Sequence, residues 1–131
     1  MRPLFCKMIN TNRLGYHIIA DLYGCNPSVI DNLHLIKDLL KHAVEFACMN
    51  SLGEIFHKFE PNGVTGIVAL EESHISIHTW PEIGYVAIDV FTCGDKAKPH
   101  IALQIICDSL NPTRTEIREL ERGCSYGVLD S

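Results

Sequence analysis

The spacing of apolar residues changes near residue 50, and this change limits the folds open to the chain. Before it, apolar side chains recur every three or four positions, as an amphipathic helix requires. These positions are Ile30, Leu33, Ile36, Leu40, Ala43, Val44 and Ala47. After it the period is two, in short runs near 53–59, 64–70, 74–80 and 84–92. Such alternation predicts half-buried strands.

The flanking segments predict the remaining elements. "GYHIIADLYGC" (15–25) alternates like a strand, and Asn26 with Pro27 is a suitable start for the first helix. The linkers "PNG", "EE" and "PEIG" favour hairpins and antiparallel pairing. A second helix is predicted from Pro99 to Leu110, followed by an edge strand at "TRTEIRELE" (113–121).

The predicted order is therefore strand, helix, four strands, helix, strand. Two helices are enough to cover one face of a sheet. We expect an α+β fold, a two-layer α/β sandwich whose antiparallel sheet has two helices on one face. A chain of 131 residues, 47% hydrophobic, is expected to form one domain, 1–131.

Composition and charge exclude several classes of function. A net charge of −5 without a Lys/Arg-rich run argues against nucleic acid as a partner. No apolar run approaches the roughly 20 residues that cross a membrane, and "MRPLFCKMIN" lacks the apolar core of a secretory signal, so we expect a cytoplasmic protein without a membrane partner. The six cysteines form no CxxC pair, which argues against zinc-ribbon and thioredoxin-like sites.

The stretch "ALEESHISIHTWPE" (69–82) concentrates reactive side chains. His74 and His78 are four residues apart, which in a strand is about 13 Å, too far for two ligands of one metal ion. Ser73 lies near histidines and acids, but it lacks the GxSxG elbow of many serine hydrolases. We therefore expect neither a metal site nor a serine hydrolase.

A family resemblance explains the stretch better. "EESHISIHTWPEIGYVAIDVFTCG" (71–94) is similar, nearly residue for residue, to the central motif of the bacterial and archaeal pyruvoyl-dependent S-adenosylmethionine decarboxylases. The resemblance extends to "LGYHIIADLYGC" and "FHKFEPNGVTG" (56–66), and more loosely to "ELERG" (119–123). It covers most of residues 14–123.

This resemblance implies a proenzyme that cuts itself between Glu72 and Ser73 into a β chain (1–72) and an α chain (73–131). The serine becomes a pyruvoyl group, a covalent cofactor that forms a Schiff base with the substrate and withdraws electrons as carbon dioxide leaves. Neither PLP nor a metal is then needed. The resemblance also implies S-adenosylmethionine as substrate, an aminopropyl donor for spermidine synthesis as product, and a homodimer with sites at the subunit contact.

The resemblance assigns roles to five further residues. His78 matches the histidine that removes the Cα proton of the serine, and Cys93 matches the general acid that returns a proton after decarboxylation. Thr65 matches a hydroxyl that supports the processing intermediate. Phe59 matches a ring that stacks on adenine, and Glu82 an acid that binds both ribose hydroxyls. Trp80 and Tyr85 are expected to serve packing.

One geometric difficulty and two alternatives remain open at this stage. Residues 73 and 78 of an unbroken strand point to opposite faces, so we expect irregular backbone around Glu72–Ser73. A pyruvoyl-dependent arginine or ornithine decarboxylase would retain Ser73, His78 and Cys93, but it would need acids for its cationic substrate rather than a stacking ring. An unprocessed homologue that only binds a ligand is the other alternative.

Overall fold

The computed structural model describes residues 13–94 and 97–124, which form a six-stranded antiparallel sheet with helices against one face. The strands are β1 (Gly15–Tyr23), β2 (Ser51–Lys58), β3 (Val64–Leu70), β4 (Ser73–Trp80), β5 (Tyr85–Thr92) and β6 (Arg114–Arg122). The helices are α1 (Pro27–Ile30), α2 (Leu33–Phe46) and α3 (Ala97–Leu110), with a short 3₁₀ helix at Pro81–Ile83. The predicted α+β fold is confirmed. Both ends of the predicted domain lie outside the described residues.

The sheet order is β2-β3-β4-β5-β1-β6. Three consecutive hairpins join β2 to β5, as the turn residues predicted, and β1 then pairs with β5 on one side and β6 on the other. β6 lies at an edge, as its alternating charges predicted. Within the described residues no helix is long and apolar enough to cross a membrane.

The first helix departs from the prediction, because it is broken into α1 and α2. The side chain of Asn26 caps α1 by accepting a hydrogen bond from the Ser28 N–H at 3.0 Å. A second cap, Asn32, accepts from the Leu35 N–H at 3.1 Å and starts α2. An asparagine side chain competes for backbone groups in this way and favours a helix start over a helix interior.

Alternation along the strands separates a covered face from an open one. The covered face and the helices together form the core, whose fully buried members include Ile18, Leu22, Ile36, Leu40, Ile75, Ile77, Val90 and Ile106. The opposite face, which we call the open face, carries Thr65, His74, His78 and Asp89 at the intervening positions. The reactive histidines therefore lie on the side of the sheet that faces away from the helices.

Thr79 fastens the end of β4 to its neighbours through two buried hydrogen bonds. Its hydroxyl donates to the Ile30 carbonyl at 2.8 Å and accepts from the Val64 N–H at 2.9 Å. The side chain is 6% exposed, so water does not replace either bond. Thr79 thus fixes α1 and the start of β3 against the strand that carries His78.

Replacing Thr79 with valine, which has the same shape, should leave that N–H and that carbonyl buried and unpaired. We expect the free energy of unfolding to fall by about 2–4 kcal/mol. Urea denaturation followed by circular dichroism measures the change. The same substitution at Thr115, which is exposed on β6, should change it by no more than about 0.5 kcal/mol. Equal losses in the two variants would contradict the role of Thr79.

Candidate active site

Ser73 is the first residue of β4, directly after the tight turn formed by Glu71 and Glu72. It pairs with Thr92 of β5. Its hydroxyl is buried and has no hydrogen-bond partner. A nucleophile in this state has both lone pairs unengaged and is adjacent to the carbonyl carbon that the resemblance predicts it attacks.

The carbonyl of Glu72 accepts a hydrogen bond from the Cys93 N–H at 3.0 Å. This donor withdraws electrons from the carbonyl and lies where negative charge would collect on its oxygen during an attack by Ser73. Backbone N–H groups provide the same stabilisation in the oxyanion holes of acyl-transfer enzymes. The geometry around the 72/73 peptide bond is therefore suited to acyl transfer.

The side chain of Glu72 fixes the turn from a second direction. It is 7% exposed, and its carboxylate accepts from the Asn50 N–H and from the Asn50 Nδ2, both at 3.1 Å. Lys98 Nζ lies 3.8 Å from the same carboxylate. The backbone carbonyl of Asn50 also accepts a hydrogen bond from the Glu71 N–H at 2.9 Å. Sequence reasoning did not identify Asn50 or Lys98, because both come from distant segments and belong to no motif.

Cys93 follows β5 and is 4% exposed. Its sulfur is in a disulfide bond, whereas Cys25, Cys48, Cys107 and Cys124 are free. A disulfide has no proton to give, so the general-acid role that the resemblance predicts for Cys93 requires its reduced form. We refer to Glu72, Ser73 and Cys93 as the cleavage cluster.

A cavity of about 350 Å³ lies at the other end of β4. Its lining includes all four remaining residues that the resemblance assigned. The lining residues are Phe59, Asn62, Gly63, Thr65, His78, Thr79, Trp80 and Glu82. We refer to this space as the β4 cavity.

Within the β4 cavity, Thr65 and His78 are paired across β3 and β4 and share a hydrogen bond of 3.0 Å between Thr65 Oγ1 and His78 Nδ1. When Nδ1 donates this bond, Nε2 carries the lone pair. That tautomer is the one in which His78 is a base at Nε2. Thr65 therefore orients the histidine to which the resemblance assigns proton removal.

Two exposed rings and one carboxylate complete the wall. Phe59 is 46% exposed, and Trp80 is 42% exposed with its ring 5.2 Å from that of Tyr85. Trp80, which we expected to serve packing, therefore also lines the cavity; its position between His78 and Glu82 was the sequence signal for this. Glu82 lies exposed in the 3₁₀ helix.

The turn before β3 is held in place by Asp31. Its carboxylate accepts from the Gly63 N–H at 2.7 Å and pairs with Lys58 Nζ at 3.0 Å. The hydrogen bond from Gly63 and the ammonium of Lys58 lower the pKa of Asp31. The break between α1 and α2, which the sequence did not reveal, thus places a residue that shapes the β4 cavity.

The cleavage cluster and the β4 cavity lie at opposite ends of one strand. Five residues of regular strand separate Ser73 from His78, which corresponds to about 16 Å. Alternation also puts them on opposite faces of the sheet. The irregular backbone expected at Glu72–Ser73 extends to Ser73, whose φ is 159°, but it does not bring the two residues together. One chain therefore contains both halves of the predicted site without joining them.

His17, His74 and Asp89 form a separate cluster on the open face. Their ligand atoms lie within 4.8 Å of one another, close enough for a metal ion. However, Arg122 Nη1 is 3.0 Å from His17 Nδ1, and a guanidinium can only donate. A neutral His17 therefore carries its proton on Nε2, which lies 2.7 Å from Asp89 Oδ2. This arrangement favours a hydrogen-bonded carboxylate over a metal centre, whose ligating histidines normally donate to their outer partner.

Comparison with known proteins now identifies the family, since the family model described as S-adenosylmethionine decarboxylase matches residues 16–123. The chain belongs to the S-adenosylmethionine decarboxylase family. It is 52% identical over 110 residues to the S-adenosylmethionine decarboxylase proenzyme of Sulfurihydrogenibium sp. (strain YO3AOP1), which covers 84% of this chain and 83% of that protein. The archaeal S-adenosylmethionine decarboxylase proenzyme of Methanococcus maripaludis is 46% identical over 111 residues, which cover 85% of this chain and 91% of that protein.

A solved structure agrees with this assignment. The crystal structure of the adenosylmethionine decarboxylase from Aquifex aeolicus VF5 superimposes with a TM-score of 0.82 at 46% sequence identity, over 86% of this chain and 92% of that one. The S-adenosylmethionine decarboxylase fold therefore extends over nearly the whole described part of the chain.

Acidification should weaken the fold through Asp89. Burial raises the pKa of this carboxyl, but hydrogen bonds from Ser76, His17 and His74 outweigh burial and lower it. Because the unfolded chain then binds a proton at higher pH, the stability that Asp89 contributes is present above pH of about 4 and is lost as the pH falls through its folded pKa.

We therefore expect Asp89→Asn to lower the melting temperature at pH 7, with a difference from wild type that shrinks towards pH 3. Thermal melts followed by circular dichroism test this. Asp38→Asn, at an exposed position of α2, serves as the matched control. A deficit that stays constant between pH 7 and pH 3 would show that the charge of Asp89 is not the cause.

Proposed function

We propose that the chain is a self-processing S-adenosylmethionine decarboxylase that cuts itself between Glu72 and Ser73. The relatives described above are named proenzymes, which supports a cut. The observation that carries the proposal is the buried, unpartnered Ser73 hydroxyl beside a carbonyl that the Cys93 N–H polarises. These residues fit the formation of a pyruvoyl group at position 73, because the hydroxyl, the carbonyl and its donor are already in place.

In the cleavage step, a bond forms between Ser73 Oγ and the Glu72 carbonyl carbon, and the peptide C–N bond between the two residues breaks. The Oγ proton ends on the departing nitrogen, so the product is an ester with a free amino group on residue 73. Removal of the Cα proton then expels the Glu72 carboxylate from Cβ. One water replaces the nitrogen, which leaves as ammonia.

The ketone left at residue 73 supplies the electron sink that decarboxylation of an amino acid needs. The other residues bind and protonate the substrate. Phe59 and Trp80 offer ring faces to the adenine, and the Glu82 carboxylate suits the ribose diol and favours the nearby sulfonium charge. Cys93, as a thiol, returns a proton to the substrate Cα. Neither a metal nor PLP takes part.

The complete site requires two copies of the chain. His78 cannot reach Ser73 of its own strand, because about 16 Å separates them. When two copies pack open face to open face around a twofold axis that runs across the strands, each copy is turned end for end over the other. The turn at the start of β4 in one copy then lies over the β4 cavity of the other. Two equal sites result once residue 73, whose side chain points to the covered face, turns towards the open face.

The open face suits such pairing. Ile55 and Ile67 are paired neighbours on β2 and β3 and are 73% and 44% exposed. Apolar surface of this kind is unfavourable in water and is buried when two copies meet. The homodimer therefore completes the site and covers exposed apolar side chains.

The family and the β4 cavity favour S-adenosylmethionine over arginine or ornithine. The cavity contains two aromatic rings and a single carboxylate, which match a nucleoside better than a guanidinium or an ammonium. The product would be the aminopropyl donor of spermidine synthesis. A net charge of −5 opposes binding to nucleic acid, and we place the protein in the cytoplasm, without a membrane partner.

Self-cleavage should be visible by denaturing mass spectrometry. We expect two fragments, 1–72 and 73–131, and a borohydride-reducible ketone on the second, whereas Ser73→Ala should stay whole because it has no nucleophile. Ser76→Ala is the matched control on the same strand and should still be cut. An uncut wild-type chain would instead indicate a protein that only binds a ligand.

Carbon dioxide release from S-adenosylmethionine, arginine and ornithine should be measured on the same mature sample. Release from S-adenosylmethionine alone is the expected result. Turnover of arginine or ornithine in its place would refute the choice of substrate and leave the cleavage chemistry standing.

Co-expression of two inactive chains tests the shared site. His78→Ala alone should remain uncut, and Cys93→Ala alone should be inactive. In a mixed dimer, the Cys93→Ala chain supplies its His78 to Ser73 of the His78→Ala chain. Mass spectrometry should then find the His78→Ala chain cut, with about a quarter of wild-type activity, since half of randomly formed dimers are mixed and each has one intact site.

If the co-expressed sample contains no cut His78→Ala chain and has no activity, each site lies within a single chain and the shared site is refuted. The matched control co-expresses the His78→Ala chain with a chain that carries both Ser73→Ala and Cys93→Ala. That partner has an intact His78 but can neither cut itself nor form an active site of its own. It should restore cleavage of the His78→Ala chain to the same extent.

A further inference from the structure

Two buried hydroxyls lie side by side at the cleavage cluster, and neither has a hydrogen-bond partner. They belong to Ser73 and to Thr92, which are directly paired across β4 and β5. Among the described residues, only Arg13 has other buried side-chain polar atoms without a partner. Unpaired buried groups are rare in native proteins, so two that adjoin at one strand pair call for an explanation.

Stability does not explain a threonine at position 92. Its side chain is 1% exposed and shares the covered face with Val86 and Val90. Valine has the same branched shape and would fill this position without burying an unpaired hydroxyl, which is unfavourable. The hydroxyl of Thr92 therefore lowers the stability of the fold, and its presence indicates a role other than packing.

The geometry points to Ser73 as the group on which this hydroxyl acts. Directly opposite residues of an antiparallel pair have Cβ atoms about 4.5–5.5 Å apart, so rotation about χ1 brings the two oxygens within hydrogen-bond reach. The Cys93 N–H is engaged with the Glu72 carbonyl at 3.0 Å. The Thr65 and His78 of the same chain lie at the far end of β4. Thr92 is thus the side chain best placed to hold the Ser73 hydroxyl.

We propose that Thr92 is a positioning residue for self-cleavage, and this inference rests on the proposed function. As Ser73 Oγ turns towards the Glu72 carbonyl carbon, the Thr92 hydroxyl accepts a hydrogen bond from the Oγ–H and directs an oxygen lone pair at that carbon. The Oγ–C bond forms, the C–N bond breaks, and the proton ends on the departing nitrogen. Thr92 is not consumed.

The test compares cleavage rates of wild type, Thr92→Val and Thr92→Ser in freshly expressed full-length chain, by denaturing mass spectrometry over time. Valine keeps the shape and lacks the hydroxyl, so cleavage should slow by up to about tenfold, the effect of losing one ordinary hydrogen bond. Serine restores the hydroxyl and should return the rate to within about threefold of wild type, since the same bond is available.

A second measurement separates positioning from a structural role. In the uncut Ser73→Ala background, Thr92→Val should leave the melting temperature unchanged or raise it, because it removes an unpaired buried hydroxyl. A lower melting temperature would show that the hydroxyl stabilises the fold and would overturn the proposal. So would cleavage of Thr92→Val at the wild-type rate.

Two further outcomes remain decisive. If Thr92→Val does not fold, Thr92→Ala takes its place, and equal cleavage rates for the alanine and serine variants overturn the proposal. If wild type itself is never cut, the proposed function fails and the role of Thr92 fails with it. Cleavage in wild type with no effect of Thr92 overturns the further inference alone.

Discussion

The pairing of β4 with β5 is the constraint on which the rest of the molecule depends. Its register runs from Ser73 opposite Thr92 to Trp80 opposite Tyr85. This register brings Cys93 beside the peptide bond between Glu72 and Ser73, where its N–H reaches the Glu72 carbonyl. It also leaves His78 at the other end of the strand. A shift of one residue would turn every side chain of β4 to the other face and would separate the Glu72 carbonyl from the Cys93 N–H.

The regular geometry of β4 explains why the predicted site residues fall into two groups. In a regular strand, two residues five positions apart cannot contact each other. For His78 to reach residue 73 of its own chain, β4 would need a sharp bend. The sheet instead keeps β4 straight and buries Ile75 and Ile77 completely. Bending the strand would remove these side chains from the core, whereas pairing two copies leaves the core intact. The proposed assembly of the site between two subunits therefore requires no distortion of this core.

The sequence predicted the fold well because its signals are local. Period-two runs and the "PNG" and "PEIG" turns specify hairpins between neighbours, and the structure has them within about two residues. The break at Asn32 was missed because the apolar period continues through it, while the polar side chain alone decides the cap. The roles of Asn50, Lys98 and Thr92 were missed because they depend on the register and on contacts between distant segments. Motif resemblance named residues of both groups, and spacing already put residues 73 and 78 on opposite faces of a strand. The expected irregular backbone does not join them, because β4 is regular from His74 to Trp80.

The sheet order has a consequence for the molecule after a cut at 72/73. The first fragment would contain β1, β2 and β3, and the second β4, β5 and β6. Because β1 lies between β5 and β6, the fragments interleave along the sheet and meet at three ladders, β3 with β4, β5 with β1, and β1 with β6. Severing one turn thus leaves the two polypeptides locked together by backbone hydrogen bonds, with the freed end at Glu72 still tethered to Asn50. Maturation would create two chain ends without creating two separable molecules.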